Sequence, residues 1–185
     1  MEAQALNALG DLLVEAGRLG EAADALHTAL RLNHTDGGRA AVRATVLRSL
    51  SDVHLLEGQL DAAEACLRET RALLPTQTSS TAWNDVFLAT CLAARGRHDA
   101  AEATLQRAEE VFAAPGLERG RAVLPLARAG LRFHRDPTAA VALTEAIDVA
   151  RRPGPTGQPA PAAVSSQTRL LLRVLMGSVK SQSAE

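Results

Sequence analysis

LNALGDLLVEAGRLGEAADALHTALRL, residues 6–32, reads as an apolar helix, a glycine at position 17, a four-residue turn and a second helix led by Ala22. The same layout returns as LRSLSDVHLLEGQLDAAEACLRETRAL at 47–73 and as DVFLATCLAARGRHDAAEATLQRAEEV at 85–111, each with a glycine five residues ahead of an alanine. The turn glycines Gly17, Gly58 and Gly96 recur about every 40 residues, a period that marks stacked supersecondary units rather than one globular core. Small residues let paired helices approach, and large ones from neighbouring units fill the holes between them. A fourth, degenerate copy fits Val123, Leu126–Ala127, Gly130, His134, Ala139, Leu143 and Ala146. There Asp136 is placed to cap the second helix, with Pro137 at its first position.

Composition agrees. Of 185 residues 46% are hydrophobic but only 2% aromatic, with no Tyr, one Trp and three Phe. Alanine is about a fifth of the chain, and a core of Ala and Leu suits close-packed helices better than sheets. The formal net charge is −1, which does not support a nucleic-acid-seeking surface. Residues 1–117 carry 10 Arg against 16 Asp and Glu, whereas 118–173 carry 9 Arg against 4. An acidic front and a basic rear would steer a partner or pair two copies head to tail; chance distribution over solvated helix faces is the plainer explanation. One Lys beside 19 Arg, with abundant Ala, is the habit of a high-GC bacterial genome. Cys66 and Cys91 are too few for a disulfide framework or a zinc site. No leader-like or membrane-spanning apolar run is present, so a cytoplasmic location is the default.

The pattern resembles the tetratricopeptide repeat (TPR) family. Its framework positions are held by Leu6, Leu9–Gly10, Leu13, Gly17, Ala22, Leu26 and Ala29 in the first copy, and by Leu47, Leu50–Ser51, His54, Gly58, Ala63, Leu67 and Thr70 in the second. The third has Asp85, Leu88–Ala89, Leu92, Gly96, Ala101, Leu105 and Ala108. The copies depart from the family in a period longer than 34 residues, in lacking tyrosine, and in placing Asp85 where a large apolar residue is usual. Longer repeats of this kind resemble the TPR arrays attached to large bacterial signalling ATPases and transcriptional regulators. The resemblance implies an all-α, α-α superhelix (a TPR-like solenoid) of about four helix-turn-helix repeats plus a C-terminal helix.

The expected division is a repeat domain at 1–152, a Pro/Gly-rich linker at 153–166, an amphipathic helix at 167–180 and a tail at 181–185. The last helix carries Leu170, Leu171, Leu172, Val174, Leu175, Met176 and Val179. It either folds back to cap the final repeat or docks into a second copy, making a homodimer.

No catalytic or metal-binding spacing is found. His27, His34, His54, His98 and His134 are scattered, and nothing resembles HExxH, CxxC, a P-loop or a nucleophile elbow. His54 and His134 occupy framework positions and read as packing residues; His98 reads as solvated. Neither cofactor nor enzymatic activity is expected. The resemblance implies a protein- or peptide-binding scaffold whose first helices line a concave groove. It places Asn7, Asp11, Arg48, Asp52, Trp83, Phe87, Arg121, Arg128 and Arg132 on that groove. Trp83 and Phe87, one turn apart, either anchor an apolar residue between acidic flanks or pack between repeats. The alternatives are a regulatory or homo-oligomerisation domain of a bacterial regulator, and an enzyme or small-ligand site inside a helical shell, for which no residue pattern speaks.

Overall fold

The computed structural model describes residues 2–35, 38–74, 76–151 and 166–182, and these are all-α. They form α1 (Glu2–Glu15), α2 (Leu19–Thr35), α3 (Ala40–Leu56), α4 (Leu60–Leu73), α5 (Ser79–Ala94), α6 (His98–Phe112), α7 (Glu118–Arg135), a 3₁₀ turn (Pro137–Ala139), α8 (Ala140–Arg151) and α9 (Ser166–Gln182). Consecutive helices pair as α1 with α2, α3 with α4, α5 with α6 and α7 with α8. Two compact units result, Met1–Thr76 and Gln77–Glu185. The expected linker at 153–166 lies, apart from Ser166, outside the described residues, as do residues 183–185 of the expected tail.

Each of the three predicted turns closes on its glycine. Gly17, Gly58 and Gly96 have φ of 76°, 73° and 72°, a left-handed conformation in which a Cβ would collide with the backbone. The amide after each glycine returns to the preceding helix, Arg18 to Leu13, Gln59 to His54 and Arg97 to Leu92. The fourth pair has no such glycine. Its turn is made by Asp136, whose carboxylate accepts the Thr138 amide at 3.0 Å, followed by Pro137. At the start of α5 a reciprocal cap forms instead: the Thr78 amide donates to the Thr81 hydroxyl at 2.8 Å, and the Thr81 amide donates to the Thr78 hydroxyl.

The second helices carry the packing logic. Ala22, Leu26 and Ala29, and Ala63 and Leu67, have no exposed surface; Ala101, Leu105 and Ala108 have 1% or less. In unit 1, Ala22, Leu26 and Ala29 join Leu13, Val46, Leu50 and Val53 in one core. A Cβ at Gly10 would stand 2.7 Å from Leu26, so the small member of the apolar–small pair is required by the close approach of α1 and α2. The departure at Asp85 is accommodated by charge. Its carboxylate, 3% exposed, faces the Arg107 guanidinium of α6 at 3.4 Å. In unit 2, α9 packs on α7, with Leu171 and Leu175 fully buried.

Leu175 lies over Gly130, where an added Cβ would come within 2.6 Å of its Cδ2, whereas a Cβ at Gly177 meets nothing within 4 Å. Gly177→Ala is therefore expected to raise stability by about 0.5–1 kcal/mol through helix propensity. Gly130→Ala is expected to lower it by about 1 kcal/mol, because overpacking outweighs the same gain. Thermal unfolding of both variants followed by circular dichroism checks the contrast.

Candidate functional site

In unit 1 the first helices α1 and α3 pack side by side and bring four of the expected residues into one polar cluster. Asn7 and Asp11 are one turn apart on α1, and the Asn7 amide nitrogen donates to Asp11 at 3.3 Å. Arg48 and Asp52 are one turn apart on α3, and the Arg48 guanidinium meets the Asp52 carboxylate at 3.4 Å. Burial pushes the Asp52 carboxyl up to about 7; Arg48 opposes that shift, the neighbouring Asp11 adds to it and Ser51 opposes it weakly. Asn7 is buried, and the Oδ1 atoms of both Asn7 and Asp52 are buried without a hydrogen-bond partner. A pocket of about 290 Å³ opens beside the cluster, lined by Gln4 and Asn7 of α1 and by Ala41, Val42, Thr45 and Val46 of α3.

Unit 2 divides its five expected residues between two places. Trp83 and Phe87 pack with Phe112 of α6: the Trp83 ring lies 6.5 Å from Phe87 and meets Phe112 edge-on at 5.5 Å. Phe87 is 2% exposed, so its ring is committed to packing, while Trp83 keeps part of its surface. The arginines take one stripe of α7. Arg121, Arg128 and Arg132, with Leu124, Pro125 and Ala129, floor a cleft of about 550 Å³ whose walls include Glu109 of α6 and Ala142 of α8. The cleft thus takes walls from second helices, which carrying over only first-helix positions overlooked. Glu109, Ala142 and Pro125 have no signal in the repeat pattern. Phe112 is legible only as a late aromatic at the end of a second helix.

The three guanidinium groups do different work. Arg121 donates to the carbonyls of Phe112, Ala113 and Ala114 at 3.0–3.1 Å and to Glu118 at 2.8 Å, tying down the end of α6 where helix carbonyls lack partners. Arg128 pairs with Glu109. Arg132 is exposed and has no carboxylate partner among the described residues. Pro125 has no amide to give the carbonyl four residues back, and its ring adds apolar surface to the floor.

The histidines differ in part from expectation. His54 sits beside Gln59 at 2.8 Å. His98 is half-buried rather than solvated, with its Nδ1 enclosed, because α6 begins close to the end of α7. His134 stacks edge-on against Phe133, and burial, aided by the nearby His98, holds its imidazole below the ordinary range. Among the described residues no group of three or more His, Cys, Asp or Glu is placed to hold a metal ion, and no helix is long and apolar enough to cross a membrane.

Paired helices with left-handed glycine turns and small–large–small second helices define a helical-repeat protein of the tetratricopeptide type. The family model described as the MalT-like TPR region matches residues 2–185, and the chain belongs to that family. Families of this helical-repeat type are typically scaffolds without catalytic chemistry. No curated protein and no solved structure matches the chain.

The Asp52 environment sets a pH dependence. The folded carboxyl keeps its proton up to about pH 7, whereas an unfolded one releases it near 4. The contribution of this group is thus fully present below about pH 4 and is lost as pH rises through 7. Asp52→Asn is expected to flatten that decline and to raise stability at pH 8 by on the order of 2 kcal/mol. Urea unfolding of parent and variant between pH 5 and 8 reads it; parallel curves would remove Asp52 as the cause.

Proposed function

We propose that the protein is a binding scaffold that takes a segment of a partner protein, with an apolar anchor and acidic flanks, in the α7 cleft of unit 2. One observation carries this reading: three arginines singled out by the repeat pattern share a stripe that floors a cleft with apolar lining. Leu124, Pro125, Ala129 and Ala142 offer the apolar contact. Arg132 offers an uncommitted positive charge, and Arg128 offers one that a partner carboxylate would share with Glu109. Charged rims of this kind set specificity and association rate, while the apolar centre supplies most of the affinity. Trp83 contributes through its packing on Phe112, the residue whose carbonyl Arg121 holds.

Self-association is a second reading, and α1 now supports it better than the last helix. Leu170, Leu171, Leu172 and Leu175 of α9 are buried within the chain, whereas Leu9 and Leu12 of α1 are 46% and 65% exposed. Unpartnered apolar side chains on one helix face are the usual material of a contact between copies.

Selection of a random peptide library on the full chain tests the first reading. Enriched peptides are expected to carry Asp or Glu around an apolar residue and to bind Arg132→Glu at least about tenfold more weakly. Peptides without acidic residues, or equal binding by parent and variant, would overturn it. For self-association, light scattering of Leu12→Arg is expected to give a lower mass than the parent; equal masses would set that reading aside.

A further inference from the structure

The α1–α3 cluster of unit 1 does not balance its own charges or hydrogen bonds. A carboxylate has no hydrogen to offer, so the contact between Asn7 and Asp11 fixes the amide nitrogen toward Asp11 and leaves Asn7 Oδ1 as an acceptor. That oxygen is buried and has no partner, on a side chain only 8% exposed. Asp52 repeats the situation on α3: one carboxylate oxygen faces Arg48, and the other is buried without a partner. Above about pH 7, where Asp52 is ionised, two carboxylates and one guanidinium leave the cluster formally at −1. Unmatched acceptors together with uncompensated negative charge ask for a donor that carries positive charge, and they reject an anion.

The shape of that donor follows from which oxygens are taken. A guanidinium binds best with both oxygens of one carboxylate in its plane. Here Asn7 holds Asp11 Oδ2 and Arg48 holds Asp52 Oδ2, so neither carboxylate has both oxygens open. A primary ammonium is compact, and its three hydrogens turn freely to acceptors from different residues. The pocket beside the cluster suits the rest of such a group. Ala41, Val42 and Val46 provide apolar wall for a methylene stem, and Asn7 stands where the pocket meets the cluster.

We propose that Asn7, Asp11 and Asp52 form a binding site for a primary alkylammonium, the ε-ammonium of a lysine side chain on a partner polypeptide, with its stem in the α1–α3 pocket. The site lies in unit 1 and does not depend on the arginine cleft, so either proposal can fail alone.

The test uses the full chain, isotope-labelled for nuclear magnetic resonance, at pH 8, where the Asp52 carboxyl is ionised. Three capped pentaglycine peptides carrying Lys, Arg or norleucine at the centre are titrated at constant ionic strength, together with putrescine. The lysine peptide is expected to move the Asn7 side-chain amide saturably, the arginine peptide about tenfold more weakly, and the norleucine peptide not at all. Asp52→Asn is expected to abolish the response, and Asp11→Asn, which removes the other carboxylate and keeps Asp52, serves as an independent second variant expected to weaken it. No saturable shift with the lysine peptide would overturn the proposal and leave the two oxygens to internal solvent. Equal shifts with lysine and norleucine would reduce the site to an apolar contact and overturn it as well. Tighter binding of putrescine than of the lysine peptide would overturn the assignment to a polypeptide.

Discussion

Where α1 meets α2, α3 meets α4 and α5 meets α6, the contact turns on one position occupied by a methyl group: Ala22, Ala63 and Ala101, none with any exposed surface. A larger side chain there would hold the paired helices apart, and Leu26, Leu67 and Leu105, one turn on, would lose the partners they fill against. Close approach in turn demands a tight reversal between the helices, which the left-handed glycines supply. The polar features of the molecule are consequences of this spacing. With the second helices closed on the first, side chains such as Asn7 and Asp52 are brought out of water beside their neighbours on the adjacent first helix.

How far the sequence disclosed the structure follows from the same physics. Steric requirements repeat, so the turn glycines, the alanine–leucine–alanine triplets and the Asp136–Pro137 start were readable from one chain, and with them the family. Electrostatic accommodations do not repeat. Asp85 looked like a flaw in the third copy until Arg107, 22 residues later, was found opposite it. The candidate residues of unit 1 were legible as a set because they fall at equivalent places on two first helices. Their burial and mutual pairing were not, since both depend on how closely α1 lies to α3. In unit 2 the transfer of first-helix positions found the arginines but not the walls beside them. It also could not tell Trp83, which keeps some surface, from Phe87, which is enclosed.

Both candidate sites use a charged side chain whose first duty is to the fold. Arg121 fastens the end of α6, Arg128 links α7 to α6 through Glu109, and Arg48 offsets the burial of Asp52. Side chains held by such contacts would lose little further freedom in the proposed complexes, which would lower the entropic cost of recognition. That economy also means that truncating them disturbs structure and recognition together. Arg132, with no structural partner among the described residues, is the position where the two separate.

Every aromatic side chain of the protein other than histidine, Trp83, Phe87, Phe112 and Phe133, lies after residue 76. Unit 1 therefore contains no near-ultraviolet chromophore, while unit 2 carries the single indole in contact with two phenyl rings. Intrinsic fluorescence sees only the second unit, and far-ultraviolet ellipticity sees both. The difference between the two melting curves is consequently a direct, label-free view of the first unit, and with it a measure of whether the two halves of the chain unfold as one.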